Sequence, residues 1–285
     1  MATLVEPALR ALQPEEIAAY HRDGAAVVRG VLPMDWIERM RVAIDRILAD
    51  PGAAAVEYTP EGKTGRYYGD FFLWLRDADF AAFHRDGPLP ELAARFMGSA
   101  AVRFFYDQLL VKEPQTAEPT PWHQDLPYWP VRGSHILSVW VPFDRADRTS
   151  GVVTYVKGSH RWGKFYAPAA FGQKTGFADL YARMGLEPVP DIDAMAGDLD
   201  LTDWTVEPGD VIVHHPLTLH GAPGNASTTG RRRGLALRYL GDDAVWDARE
   251  GTFIDNPRVR ALLPAITLAD GDPVTGTLFP AVWPR

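Results

Sequence analysis

The hydrophobic pattern of this chain changes its period once. In the first part, Trp36, Ile37, Met40, Ile44, Ile47 and Leu48 recur at three- and four-residue spacing, which places them on one face of a helix. Pro33 opens that helix and Asp50-Pro51-Gly52 stops it. A shorter helix is predicted from Pro14 to Arg22, with proline at its start and Gly24 just past its end. Ala25 to Leu32 reads as a strand between them. From about residue 100 strands dominate: Val102 to Lys112, Ile136 to Phe143, Gly151 to Val156, Asp210 to His215 and Leu235 to Leu240. Gly, Pro and Asp turns divide them, among them Glu207-Pro208-Gly209-Asp210, a type II turn pattern. Short strands so divided predict a sandwich or barrel rather than alternating strand–helix units. The expected fold class is mainly β with flanking helices.

Three stretches escape this pattern. Residues 57 to 90 set Tyr58, Tyr67, Tyr68, Phe71, Phe72 and Trp74 beside glycines, which suits a lid over a pocket and equally a satellite apolar cluster. Residues 163 to 200 are rich in Gly and Ala and read as an insertion with some helix, and the tail beyond residue 242 reads as a surface wrap. No repeat, low-complexity run or linker-like composition interrupts the chain, so one domain is expected over 1–285, with its β core at about 100–243 and its N-terminal helices at 14–50.

Composition narrows the function classes. Hydrophobic residues make up 46%, enough for a sizeable core, and cysteine is absent, which excludes disulfides, thiolate metal sites and Cys nucleophiles. A formal charge of −8 disfavours a nucleic-acid partner, which would require a basic footprint. The N-terminus shows no basic region followed by an apolar run, and no window approaches the ~20 apolar residues of a membrane span. The expectation is a cytoplasmic protein acting on a small molecule, with no membrane partner; nothing in the sequence sets an oligomeric state.

The chemistry gathers at Thr120-Pro121-Trp122-His123-Gln124-Asp125-Leu126-Pro127-Tyr128-Trp129-Pro130. On an extended strand, His123 and Asp125 would point to one face. A third ligand is available in the second histidine cluster, His214, His215 and His220. His220 precedes Gly221 at what should be a strand end, whereas His214 and His215 lie within a strand, where one of them must point inward as a hydrogen-bonded neighbour. Two histidines and one carboxylate form the facial triad of non-haem Fe(II) oxygenases, with coordination positions left open. His21, His84, His135 and His160 have no partners at useful spacing and read as structural or surface residues. Beyond His220, Arg232, Gly234, Ala236 and Arg238 share a strand face by period two. The small residues leave room for a ligand whose carboxylate a guanidinium could grip. Arg232 is the first choice for that role and Arg231 the second.

Trp122-His123-Gln124-Asp125 with Tyr128 and Trp129, Val139-Trp140-Val141-Pro142, Gly151, Lys157-Gly158-Ser159-His160, and His220-Gly221 with Asn225 and Arg232 together resemble the phytanoyl-CoA dioxygenase family. The resemblance runs in order over about residues 14 to 243. It implies a double-stranded β-helix, the cupin-like jelly roll. It also implies Fe(II) held by His123, Asp125 and His220, with O2 and 2-oxoglutarate as cosubstrates. Arg232 would hold the distal carboxylate of 2-oxoglutarate, and Gln108 and Trp140 fall where relatives touch it. A serine common two residues after the distal histidine is Ala222 here, which removes one expected hydrogen bond. Relatives that halogenate have Gly or Ala at the Asp125 position, so the retained carboxylate implies hydroxylation or a related oxidation. The substrate is less legible. Tyr68, Phe72, Trp74, Tyr128 and Trp129 would make an aromatic pocket, nothing matches a coenzyme A site, and an amino acid or natural product fits at least as well as an acyl-CoA. The competing reading is a cupin-like metal protein without O2 chemistry, an isomerase, hydrolase or sensor, which would need no arginine aimed at a cosubstrate.

Overall fold

The structure, a computed structural model, describes residues 9–168 and 178–284. Two helices and a strand begin the chain: α1 (Pro14–Asp23), β1 (Ala25–Val28) and α2 (Met34–Ala49). Then come β2 (Val56–Glu57), β3 (Tyr67–Phe71), α3 (Ala78–Asp86) and α4 (Leu89–Met97). The β-rich part holds β4 (Val102–Lys112), β5 (Thr120–His123), β6 (Val131–Arg132), β7 (Ile136–Pro142) and β8 (Thr154–Val156). After α5 (Ala178–Arg183) follow β9 (Leu201–Thr202), β10 (Val211–His214), β11 (His220–Ala222) and β12 (Arg232–Leu240). The chain closes with β13 (Val245–Trp246), α6 (Pro257–Leu262) and β14 (Ala281–Trp283).

The strands form a large sheet in the order β1-β10-β7-β12-β4-β3-β2, with β14 on β4, and a smaller sheet β5-β11-β8-β9; neighbouring strands within each sheet run antiparallel. The fold is a jelly roll, mainly β, with helices on the outside of the large sheet. Strand parity decides which residues look where. Val139 and Val141 of β7, Val211 and Val213 of β10, and Leu235, Leu237 and Tyr239 of β12 pack against Trp36, Ile37, Met40, Ile44 and Ile47 of α2 in one core. Each large apolar side chain so buried contributes about 1.5–3 kcal/mol. The alternate residues Trp140, Ile212 and Ala236 face the small sheet and meet Val152, Val153 and Tyr155. The site lies between the two sheets, on this second face.

Gly24 links the helical layer to that site. It ends α1 with φ +84°, a left-handed conformation that glycine adopts without strain. Its carbonyl accepts from His215 N at 2.9 Å and from Thr218 Oγ1 at 2.8 Å, and a Cβ at Gly24 would collide with Thr218 and His160. The loop leading into His220 is thereby pinned.

Three expectations change. The first strand is half as long as read, because the chain turns at Gly30 with φ +61°. Residues 57 to 90 are scaffold rather than lid: β3 pairs with β4 from Tyr67↔Lys112 to Phe71↔Gln108, and Phe80 and Phe83 of α3 enter the main core. The tail beyond 242 does more than wrap a surface, since Phe253, Val259, Val274, Leu278 and Phe279 complete a second core with Phe105 and Trp129. Of the expected insertion at 163–200, residues 169–177 lie outside the described residues. Among the described residues, no helix is long and apolar enough to cross a membrane.

Candidate metal centre and active site

Two strands of the small sheet carry the histidines. His123 is the last residue of β5, His220 the first of β11, and they are direct cross-strand partners. Asp125 arrives differently from the sequence expectation. β5 stops at His123, and Asp125 has helical backbone (φ −74°, ψ −45°) at the start of a short 3-10 turn. A turn, not the parity of a strand, therefore swings its carboxylate toward the two rings. That turn is held by Pro216 O, which accepts from Asp125 N at 2.8 Å and Leu126 N at 3.0 Å. Gln124, between the two candidate ligands, points away and binds Lys164 O and Leu217 O through its amide nitrogen. His123, Asp125 and His220 are all buried, and their ligating atoms lie within 4.8 Å of one another.

Hydrogen bonds set which atoms face the common point. His123 Nδ1 lies 2.8 Å from Pro121 O and His220 Nδ1 lies 2.9 Å from Thr218 O. A carbonyl only accepts, so each Nδ1 is the donor of its ring and each Nε2 is the nitrogen turned toward Asp125. Asp125 Oδ2 accepts from Ser138 Oγ at 2.7 Å and faces His214 Nε2 at 3.2 Å. Its Oδ1 is left 3.7 Å from His123 Nε2 and 3.9 Å from His220 Nε2. Burial alone would raise the Asp125 carboxyl, but Arg238, His123, His214 and His220 outweigh it and hold it well below the usual carboxylate range. Burial, with His123 and His214 close by, pushes His220 well below the usual imidazole range. The donor set is one carboxylate and two imidazoles. It suits a divalent first-row metal such as Fe(II).

His214 is the inward residue of its pair, and the ring of His215 lies outside this cluster, tilted against His160 and Tyr20. His84 is in the helical core, and His135 pairs with Asp242 near the surface.

Beside the triad runs a narrow slot lined by Gln108, Leu110, Thr120, Trp140, Ala222, Arg232, Ala236 and Arg238. Arg232 is 2% exposed; Nη1 binds Leu110 O at 3.0 Å, and Nε has no partner among the described residues. Gly234 gives the indole of Trp140 its place, because a Cβ there would come within 2.8 Å of the ring. Arg231, one residue earlier, has the opposite parity. It leaves the slot and pairs with Asp45 and Glu113 at 3.1 and 2.9 Å. Gln108 lines the slot, but its Oε1 already accepts from Arg238 Nη2 at 2.9 Å. Thr120 stands opposite Ala222 in the β5–β11 ladder, with its hydroxyl 2.8 Å from Tyr67 Oη. Sequence reading missed that hydroxyl, although the cross-strand position of Ala222 would have pointed to it once the register was known.

On the other side of the triad opens a cavity of about 390 Å³. Tyr128 and Trp129 line it, as do Tyr58, Phe71, Tyr106, Tyr181 and Phe253. Tyr68, Phe72 and Trp74 do not. Tyr68 has the parity opposite to Phe71 and joins the helical core, Phe72 stacks behind Tyr106 at 5.4 Å, and Trp74 meets His84 and Phe104 edge-on. The outer wall comes from residues 251–259 of the tail, whose sequence carries no local sign of a pocket.

A family model described as phytanoyl-CoA dioxygenase (PhyH) matches residues 20–234. The chain belongs to the phytanoyl-CoA dioxygenase family. As a member, it is an oxidoreductase of the non-haem iron, 2-oxoglutarate-dependent dioxygenase class, and the cupin-like reading without O2 chemistry gives way. The peroxisomal phytanoyl-CoA dioxygenase of Rattus norvegicus is 24% identical over 258 residues, 86% of this chain and 73% of that one. A probable alpha-ketoglutarate-dependent hypophosphite dioxygenase of Stutzerimonas stutzeri is 30% identical over 161 residues, 56% of this chain and 52% of that one. Among solved structures, the epimerase SnoN in complex with Fe3+, alpha ketoglutarate and nogalamycin RO superposes with a TM-score of 0.73 at 22% identity, covering 94% of this chain and 97% of that one. The likeness to SnoN shows that this family member shares its fold.

Proposed function

We propose that His123 Nε2, Asp125 Oδ1 and His220 Nε2 hold Fe(II), that Arg232 anchors the distal carboxylate of 2-oxoglutarate, and that the chain works as one oxygenase domain hydroxylating or otherwise oxidising a small ring-bearing molecule. The observation that carries this reading is the convergence of His123 Nε2, His220 Nε2 and Asp125 Oδ1 within one buried cluster, with each Nδ1 held by a backbone carbonyl and Asp125 Oδ2 held by Ser138. Iron with 2-oxoglutarate supplies O2 activation there, with succinate and CO2 as coproducts.

The chain's own residues orient and exclude. Ser138 and His214 fix the Asp125 carboxylate so that one oxygen stays available. The Arg232 guanidinium is desolvated before any ligand arrives, so a carboxylate meets it with little screening. Thr120, steadied by Tyr67, offers a hydroxyl to the same end of the slot and takes the place of the serine that Ala222 replaces. Trp140 and Ala236 wall the slot against water. The large cavity presents aromatic faces and, at its rim, the exposed Arg258, which favours an apolar, ring-bearing substrate without a cationic group. The structure of SnoN in complex with Fe3+, alpha ketoglutarate and nogalamycin RO supports a natural-product substrate.

Anaerobic addition of Fe(II) and then 2-oxoglutarate should produce the weak visible charge-transfer band of the chelate in wild type but not in Asp125→Ala. Metal binding without the band would overturn the cosubstrate assignment, and no metal binding would overturn the ligand set.

A further inference from the structure

The floor of the slot is one face of β12, and that face carries a guanidinium at each end. Arg232 and Arg238 share its parity, with only Gly234 and Ala236 between them, and both line the slot. Arg238 is 4% exposed, and its Nε, like that of Arg232, has no partner among the described residues. The remaining atoms show where it points. Nη1 donates to Ala236 O at 3.0 Å, Nη2 donates to Gln108 Oε1 at 2.9 Å, and Nη2 also lies 3.7 Å from Asp125 Oδ1, the oxygen that faces both His Nε2 atoms. Tyr106 and Trp129 stack on the guanidinium at 4.7 and 5.8 Å, so it is held in place before a ligand binds. A buried cation with one satisfied carboxylate neighbour and a free N–H beside an anion site is built to receive a second negative group.

Resting on the reading of the slot as the 2-oxoglutarate site, we propose that Arg238 binds the near, 2-oxo acid end of the cosubstrate, so that β12 clamps a dicarboxylate between two arginines. Arg232 discriminates the distal carboxylate, and Arg238 serves any 2-oxo acid.

The test is calorimetric titration of the Mn(II)-loaded protein with 2-oxoglutarate and with 2-oxovalerate, which lacks the distal carboxylate. Arg232→Gln should weaken 2-oxoglutarate by roughly 100-fold and leave 2-oxovalerate within about twofold. Arg238→Gln should weaken both by roughly tenfold or more, with Arg238→Lys recovering part of the loss for both. Loss confined to 2-oxoglutarate would move Arg238 to the distal end and overturn the proposal, as would unchanged affinity for both. Should Arg238→Gln lack a cooperative melt, Arg238→Lys decides alone: a few-fold loss for both acids supports the clamp, and wild-type affinity for both overturns it. Wild-type protein that binds neither acid would overturn the functional reading of the slot, and this inference with it.

Discussion

His123 and His220 face each other across the β5–β11 ladder with their ring centroids 4.1 Å apart. Two strands far apart in sequence thus deliver both imidazoles by register alone, and Asp125 closes the triad from a turn. Without a cation, three ligating groups are crowded and buried in one place. Metal should therefore stabilise the fold. Saturation at a hundred times the dissociation constant contributes about 2.7 kcal/mol, read as a rise in melting temperature on adding Fe(II) anaerobically or Mn(II), and reversed by a chelator. His220→Ala should melt at one temperature with or without metal. An unchanged metal response in that variant would remove His220 from the ligand set.

Parity separates the two neighbouring arginines. Arg232 is buried in the slot, whereas Arg231 makes surface ion pairs of a kind worth about 0–1 kcal/mol. Arg232→Gln should raise the 2-oxoglutarate concentration needed for half-maximal succinate release by roughly 30–100-fold, the value of one buried charge-assisted pair. Arg231→Gln should leave it within about twofold. The reverse pattern would place the cosubstrate elsewhere.

The register of Thr120 against Ala222 makes a compensation testable. Thr120→Val removes one hydroxyl and should weaken 2-oxoglutarate by roughly five- to tenfold, about 1–1.4 kcal/mol. Adding Ala222→Ser on the facing strand should restore most of that loss. If the double variant binds no better than Thr120→Val, the two positions do not serve the same carboxylate.

His84 gives the stability a pH dependence away from the site. Its ring stacks on Phe104 at 3.7 Å, and neither ring nitrogen has a partner among the described residues. Burial, assisted by Arg85, lowers its pKa to about 3, against about 6.5 in the unfolded chain. Above pH 6.5 both states are neutral at this residue. As pH falls below 6.5 only the unfolded state takes up the proton, so stability drops, by about 2 kcal/mol near pH 5. Chemical denaturation at pH 7.5 and pH 5 should show that His84→Phe loses less stability over this interval than wild type. An equal loss in both would mean that His84 is not the titrating group.

Period two along β12 puts Arg232, Ala236 and Arg238 on one face, and three- and four-residue spacing puts Trp36, Ile37, Met40, Ile44 and Ile47 of α2 on the core. These features are legible because side-chain direction is set within a few residues by backbone geometry. The Ser138 and His214 hydrogen bonds to Asp125, and the Thr120–Tyr67 pair, were not legible, since each depends on strands that meet only when the sheets close.

Taken by itself, the sequence determined the mainly β class, the faces of its regular elements, and the residue types able to ligate a metal and a dicarboxylate. Tertiary structure alone decided that Asp125 reaches the triad from a helical turn, that Phe71 rather than Tyr68 lines the large cavity, and that residues 251–259 supply its far wall. The physical reason is the range of the interactions. Periodicity and parity are local and repeat in every copy of an element. Where a strand stops, and which distant segment seals a cavity, follow from burial of apolar surface summed over the whole fold.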